Sequence, residues 1–478
     1  MQKKANYILM SIAAVLLFSG CGIYNKYRRP EVKTDNLFGE MPVETDTCSS
    51  IADLKWHELF TDTLLQKLIT RALDANTDLN VARLKVQEAQ ASLTAAKLAY
   101  LPSVQLNPEG SLSKVKDGQT SKTYTLGASA SWEIDLFGKL TNAKRSELAV
   151  LEQSQAYQQA VQTQLIATVA ESYYTLLMLD EQINITTETI ENWKEYIHSL
   201  RVLMKSGQAD RAAVSQAEAS RLGAEASLLD LKQQIVEMEN SLCSLLAWQP
   251  AHIERSSLDC QVFPQELSVG VPLELLSRRP DVMQAEAELK QAFYGVNQAR
   301  SDFYPSITLS GSAGWTNNAG ATITNPGTWL LQAVGSLVQP IFNRGKNIAN
   351  LKISKAQREE ALLQFQQSLL DAGGEVNNAL NQWQNARKKV VLDGQQVEYL
   401  SVAVHDTRLL MEHGTTNYLE VLTAQQSLLS SRLTLVSDRN SEIQSVISLY
   451  HALGGGSDNC VFFATYSYFL FSHLVREE

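Results

Sequence analysis

The chain has 478 residues, of which 44% are hydrophobic and 19% charged, and its formal net charge is −10. That length admits two or three ordinary domains, and the acidic balance argues against general nucleic-acid binding, which needs a clustered basic face. The five cysteines contain no C-x-x-C pair, which excludes a disulfide framework and a zinc site.

Residues 1–20 read as an export signal: Lys3-Lys4, an apolar stretch over 8–18, then Ser19-Gly20 ahead of Cys21. Eleven helical residues cover roughly 16 Å, about half of a hydrocarbon core, so the stretch is too short to anchor in a membrane. Small residues before Cys21 resemble a bacterial lipobox, with Phe18 where Leu is usual. The resemblance implies cleavage before Cys21 and acylation of its thiol and amino group, leaving 21–60 as a lipidated N-terminal segment. Several acyl chains on one residue would tether the chain stably. For Cys48, Cys243, Cys260 and Cys460 the expectation is unpaired buried thiols, with a Cys48–Cys260 bond as the alternative in an oxidising compartment.

Residues 61–250 read as a first repeat. A leading helix is followed by a period-two stretch over 103–135. There Tyr124, Leu126, Ala128, Ala130, Trp132 and Ile134 alternate with polar residues or Gly. Val104, Leu106, Gly110 and Leu112 alternate in the same way with Gln105, Asn107, Glu109, Ser111 and Ser113, and Asp117-Gly118 between the two runs signals a turn. Residues 109–249 then lack proline and 139–206 also lack glycine. Proline breaks helices and glycine weakens them, so their joint absence permits one very long helix. Leu165, Val169, Ser172, Leu176, Leu179, Ile183, Thr186, Ile190, Trp193, Ile197, Leu200 and Met204 advance by alternating steps of four and three, a coiled-coil seam. At 1.5 Å per residue such a helix is roughly 100 Å long. Gly207 supplies the turn, and a return arm carrying Ala217, Ala224, Leu228, Leu231, Ile235, Met238, Leu242 and Leu245 completes a helical hairpin over 139–247.

After a linker at 251–272 the plan recurs over 273–456. At an offset of 203, Asp78 matches Asp281, Ala82 matches Ala285, and Tyr100-Leu101-Pro102 matches Phe303-Tyr304-Pro305. At an offset of 207, Gly138-Lys139 matches Gly345-Lys346, Val214 matches Val421, and Leu203-Met204-Lys205-Ser206-Gly207 matches Leu410-Met411-Glu412-His413-Gly414. A unit this long is no solenoid repeat. The second half thus predicts a strand pair over 305–340 and a helical hairpin over 345–453, whose outward arm Gly373-Gly374 and Gly394 should make less regular than its twin. The run Gly454-Gly455-Gly456 ends the last helix, and no structure follows from the tail at 457–478, whose apolar part at 461–471 is too short for a membrane helix.

Strands of about ten residues with one apolar face and Trp and Tyr near their ends suit a transmembrane barrel. Four are too few, because the smallest closed membrane barrel uses about eight. Unpaired edges are not tolerated in lipid, so copies of the chain must complete the wall. The expected fold class is an α+β membrane channel. Its transmembrane β-barrel is shared between protomers and continued by a long α-helical coiled coil.

Several motifs, in order, carry a family resemblance. They are Trp56-His57-Glu58-Leu59-Phe60, Ser131-Trp132-Glu133-Ile134-Asp135-Leu136-Phe137-Gly138-Lys139, Val169-Ala170-Glu171-Ser172-Tyr173, Arg278-Arg279-Pro280-Asp281-Val282, Phe303-Tyr304-Pro305-Ser306-Ile307, Pro340-Ile341-Phe342 and Tyr418-Leu419-Glu420-Val421-Leu422. Together they resemble the TolC-like outer-membrane efflux proteins, and Tyr27-Arg28-Arg29-Pro30 just after Cys21 is similar to the NodT-type lipoprotein branch. The resemblance implies a homotrimer with a twelve-stranded outer-membrane barrel and a twelve-helix periplasmic tunnel. It also implies a passive exit duct working with a periplasmic membrane-fusion adaptor and an inner-membrane RND-type pump. Gly207 and Gly414 then mark the hairpin turns near the adaptor contact, and Glu420 matches an acidic residue lining the periplasmic constriction. Thr423 stands where the family has a second acidic residue, and Thr416 where it has a gate-locking Arg. Repeated around an axis, a carboxylate ring disfavours its own ionisation and attracts cations.

No catalytic constellation is present. Gly345-Lys346 lacks the spacing and the following Ser/Thr of a P-loop, and the seven histidines offer no H-x-x-x-H pair, His405 and His413 reading as solvated helix residues. Neither an enzyme, nor a metal site, nor a cofactor beyond the lipid on Cys21 is expected. A non-channel structural coiled-coil lipoprotein of the periplasm is the competing reading; its Cys21→Ala variant would be soluble, whereas a barrel would stay in the membrane.

Overall fold

The computed structural model describes residues 24, 26–30, 54–114, 120–261, 279–316, 328–413 and 416–455. Cys21, Cys48, Cys460, the Asp117-Gly118 turn, Gly414 and the tail at 457–478 lie outside the described residues. In chain order the elements are α1 (Trp56–Leu59), α2 (Thr63–Ala75), α3 (Thr77–Leu98), β1 (Ser103–Ser113), β2 (Ser121–Ile134), α4 (Lys139–Lys205) and α5 (Arg211–Leu245). A 3-10 turn at Leu258–Cys260 follows, then α6 (Pro280–Ser301), β3 (Ser306–Thr316), β4 (Thr328–Val338), α7 (Lys346–Glu412) and α8 (Tyr418–Ala452). Among the described residues no helix is long and apolar enough to cross a membrane. The chain divides into two compact units, one of Met1–Lys33, Leu84–Ala156 and Met283–Ser368, the other of Thr34–Arg83, Tyr157–Val282 and Leu369–Glu478.

The first unit contains the sheet, antiparallel throughout, in the order β1-β2-β3-β4. Its central pairing, β2 with β3, joins the two repeats. Register is set by which face each residue must occupy. Leu106 opposes Ala128, Ala128 opposes Ala313, and Ala313 opposes Leu331. Trp132 opposes Leu309 and Ile134 opposes Ile307, so one face is apolar across all four strands. The other face carries a ladder of polar side chains: Asn107 Nδ2 donates to Ser129 Oγ at 2.9 Å, and Thr125 Oγ1 to Thr316 Oγ1 at 3.3 Å. On β4 the alternation is weaker, since Val334 and Val338 fall on the polar side. Among the described residues neither edge, β1 or β4, has a further neighbouring strand.

Below the sheet, Asp135 caps α4. Its carboxylate accepts from the backbone N–H of Leu140 at 3.0 Å and of Thr141 at 2.8 Å, and from Thr141 Oγ1 at 2.6 Å. That satisfies donors that a helix start would leave orphaned. Gly138 takes the left-handed φ of +68°, and a Cβ there would lie 2.7 Å from Cε2 of Tyr24. Downstream of Tyr24, the Tyr27 ring meets Phe293 edge-on at 5.7 Å, and Arg29 Nε stands 3.6 Å from Glu286 Oε2.

In the second unit the seam of α4 is buried from Leu165 to Leu200 at every position except Ile183, which is half-buried. The repeat is visible in its bonds. Buried Asn76, just before α3, donates from Nδ2 to the carbonyl of Leu245, the last residue of α5, at 3.0 Å. Buried Arg279, just before α6, donates from Nη1 to the carbonyl of Ala452, the last residue of α8, at 2.6 Å. An amide and a guanidinium thus tie down equivalent helix ends. Positive φ is repeated too, at Ala247 (52°) and Gly454 (78°) just past those ends. The described start of the segment between the repeats, residues 251–261, is held by Arg255, which grips Asp180 at 2.5 and 2.9 Å and Glu239 at 2.5 Å.

Two expectations are corrected. The three glycines do not make α7 less regular: it runs unbroken through Gly373, Gly374 and Gly394 and has 67 residues, as α4 does. Each glycine costs about 1 kcal/mol of helix propensity relative to Ala, but Phe365, Leu369, Ala372, Val376 and Ala379 are all buried along the same arm. Packing of an apolar stripe outweighs propensity in a long helix. Of the thiols, Cys243 is buried as expected, whereas Cys260 is exposed in its short 3-10 turn.

Candidate functional site

The candidate gate is built at the ends of the helical hairpins, inside the second unit. At the first hairpin α4 closes with Gln208 N–H donating to the Leu203 carbonyl at 2.9 Å and Gly207 N–H to the Met204 carbonyl at 3.1 Å. Gly207 has a φ of +79° with open space around its Cα, the left-handed turn that glycine adopts without strain. Asp210 then accepts from Ala213 N–H at 2.8 Å and starts α5. At the second hairpin Asn417 accepts from the backbone N–H of Leu419 and Glu420 at 2.9 and 3.2 Å and starts α8. Asp210 and Asn417 are one repeat apart. A sequence signal for them was available, because both residue types favour helix N-caps.

One apolar core joins these ends: Trp193, Tyr196, Ile197 and Leu200 of α4, Ala213 and Ala217 of α5, Val421 and Leu422 of α8, with Met411 of α7 against it. Tyr196 donates its hydroxyl to the Tyr418 carbonyl at 3.3 Å, and burial pushes its phenol up to about 12. On the outside, Arg201 of α4 pairs with Glu218 of α5, which also pairs with Arg221.

Glu420 is exposed, on the first turn of α8. Its carboxylate accepts a hydrogen bond from the hydroxyl of Thr416. Thr423, one turn on, donates its hydroxyl to the Leu419 carbonyl at 2.8 Å and so is occupied with its own helix. The residue equivalent to Glu420 in the first repeat is Ala213, which is fully buried in the core. The same position is therefore core in one hairpin and solvent-facing carboxylate in the other. Of the sequence-predicted site residues, Gly207 and Glu420 fall on hairpin ends that share this core, while Cys21 and Gly414 are outside the described residues. Trp193, Tyr196, Asp210 and Asn417 were not singled out as functional. Among the described residues no group of three or more His, Cys, Asp or Glu is gathered to hold a metal.

Glu420 is thus an exposed carboxylate on a helix start whose neighbours Val421 and Leu422 pack into the aromatic core. Comparison with known proteins identifies the family. Residues 68–247 and 271–455 match the model of the outer membrane efflux protein family. The cation efflux system protein CusC of Escherichia coli O6:H1 is 29% identical over 458 residues, covering 94% of this chain and 98% of CusC. The toluene efflux pump outer membrane protein TtgC of Pseudomonas putida is 32% identical over 469 residues, covering 94% of this chain and 95% of TtgC. In three dimensions the chain superposes on the open state of the Neisseria gonorrhoeae MtrE outer membrane channel with a TM-score of 0.83 and 29% identity, over 91% of this chain and 98% of that one. Paired repeats, a four-stranded sheet with one apolar face and coiled-coil hairpins thus coincide with the matched family: the chain belongs to the outer membrane efflux proteins.

Proposed function

We propose that this chain is the outer-membrane channel of a tripartite efflux system, a passive exit duct for small molecules. The observation that carries the reading is the sheet: one face apolar across four strands, the other mainly polar, and both edges without a further strand among the described residues. Such a sheet is stable in lipid only when further strands close it. Three copies supply twelve strands, and a homotrimer puts the polar face around a water-filled lumen. The lipid on Cys21 adds a second hold on the outer membrane. With no nucleotide-binding loop of its own, the duct depends on an inner-membrane RND-type pump for energy. A periplasmic adaptor docks at the hairpin turns around Gly207 and Gly414. Glu420 forms the acidic ring at the periplasmic entrance, held by the Trp193–Tyr196 core and hydrogen-bonded to Thr416.

Planar-bilayer recordings of the purified protein test this reading. A conducting pore is expected from wild type, and Cys21→Ala is expected to remain membrane-bound and detergent-requiring; a soluble, non-conducting Cys21→Ala protein would favour the coiled-coil spacer. Glu420→Gln should lower cation selectivity, because a neutral amide no longer attracts cations at the entrance. Unchanged selectivity would remove Glu420 from the gate.

A further inference from the structure

We infer that Glu109 forms a second charge-selective ring inside the barrel, at the loop-side half of the lumen and separate from the entrance at Glu420. This rests on the channel reading above. In the register of β1 and β2, Glu109 lies opposite Thr125, which lies opposite Thr316 of β3. All three are on the polar face, which alternation along the strands keeps distinct from the apolar one. The neighbours of Glu109 along β1 are bonded across the ladder: Asn107 to Ser129 at 2.9 Å and Ser111 to Thr123 at 2.6 Å. Glu109 itself is exposed, and no ion pair involves it among the described residues. The other carboxylate on this face, Glu133, is neutralised by Lys139, with Nζ 2.9 Å from Oε1. Lys122 of β2 stands opposite Leu112 and belongs to the apolar face. Among the described residues the polar face around Glu109 is thus hydroxyl and amide, with one uncompensated negative charge per copy.

A water-filled tube with low-dielectric walls focuses the field of any fixed charge. One carboxylate per protomer at a single level therefore makes a ring that admits cations and repels anions. Glu109 is the seventh of eleven residues in β1, past the middle toward the 114–120 connection. Glu420 lies in the other unit, so the two carboxylates can be varied independently.

The test is the reversal potential of the full-length protein in a planar bilayer under a KCl gradient. Glu109→Gln is expected to move it toward zero, and to do so again in a Glu420→Gln background. Thr125→Lys, which sets an ammonium directly across the ladder from Glu109, should move it the same way and serves if Glu109→Gln does not assemble. A reversal potential unmoved by these changes overturns the proposal while leaving the channel reading intact. Wild-type protein that forms no pore overturns the channel reading, and the ring with it.

Discussion

Gly138 and Gly345 are one repeat apart and share a left-handed backbone, with φ of +68° and +77°, but not their surroundings. An Ala at either place carries about 1–2 kcal/mol of left-handed strain. At Gly138 the new Cβ would also meet the Tyr24 ring at 2.7 Å, whereas around Gly345 there is open space. Gly138→Ala should therefore lower the thermal unfolding midpoint in detergent more than Gly345→Ala does; equal shifts would mean that Tyr24 is not seated there. A second residue-scale prediction concerns acid. Glu375 is held at about 2 against an ordinary 4.5 by His451 and by Arg279, in opposition to desolvation. The His451 Nδ1 is 3.8 Å from Oε1, an ion-pair distance, while Arg279 Nη2 donates to Oε2 at 2.5 Å. A carboxylate depressed on folding stabilises above its unfolded value and loses that contribution as pH falls through the folded one. Asp62 and Glu239 are lowered in the same sense, each despite desolvation, by hydrogen bonds to Ser256 and to Arg255 respectively. The melting temperature should thus fall between pH 4.5 and about 2, and Glu375→Gln should flatten part of that fall. An identical slope in the variant would refute the assignment.

At the scale of elements, the helices and strands were largely legible. A proline- and glycine-free stretch with a three-four seam marked α4, and the period-two runs marked β1 and β2, because both signals are local and repeat many times. The three glycines of α7 misled, since their propensity cost is local while the packing that overrides it is not. The shared core at the hairpin ends was only half legible: the Trp193–Leu200 seam was visible, but not its contact with Ala213 and Val421 on other helices. Trp193→Ala empties a fully buried site there and should cost about 3–5 kcal/mol. Limited proteolysis should then cut sooner in the 205–210 turn and the start of α8. If cleavage at both hairpins is unaccelerated, the core does not couple them.

For the whole molecule, the sheet is the decisive element, because its apolar face needs lipid and its edges need neighbours. Leu331 is on the apolar face and among the most exposed large side chains, at 84%. Leu331→Arg places a charge toward hydrocarbon, at about 2–4 kcal/mol near the midplane, and should reduce the yield of SDS-resistant oligomer. Gln332→Arg, one residue on and facing the lumen, should be tolerated. Equal yields from the two would contradict the assignment of the faces.

The repeat, the extents of the helices and strands, and which face of β1 and β2 is apolar were readable from the sequence alone, because periodicity is written in neighbouring residues. The sequence also marked Glu420 and Gly207, by resemblance and by turn chemistry. Only the tertiary structure decided that β2 pairs with β3 across the repeat boundary, that Ala213 turns into the core where Glu420 turns out, and that Asn76 and Arg279 tie equivalent helix ends. Those outcomes depend on contacts between residues far apart in the chain. A hydrogen bond or a buried face needs a partner whose position no local pattern encodes.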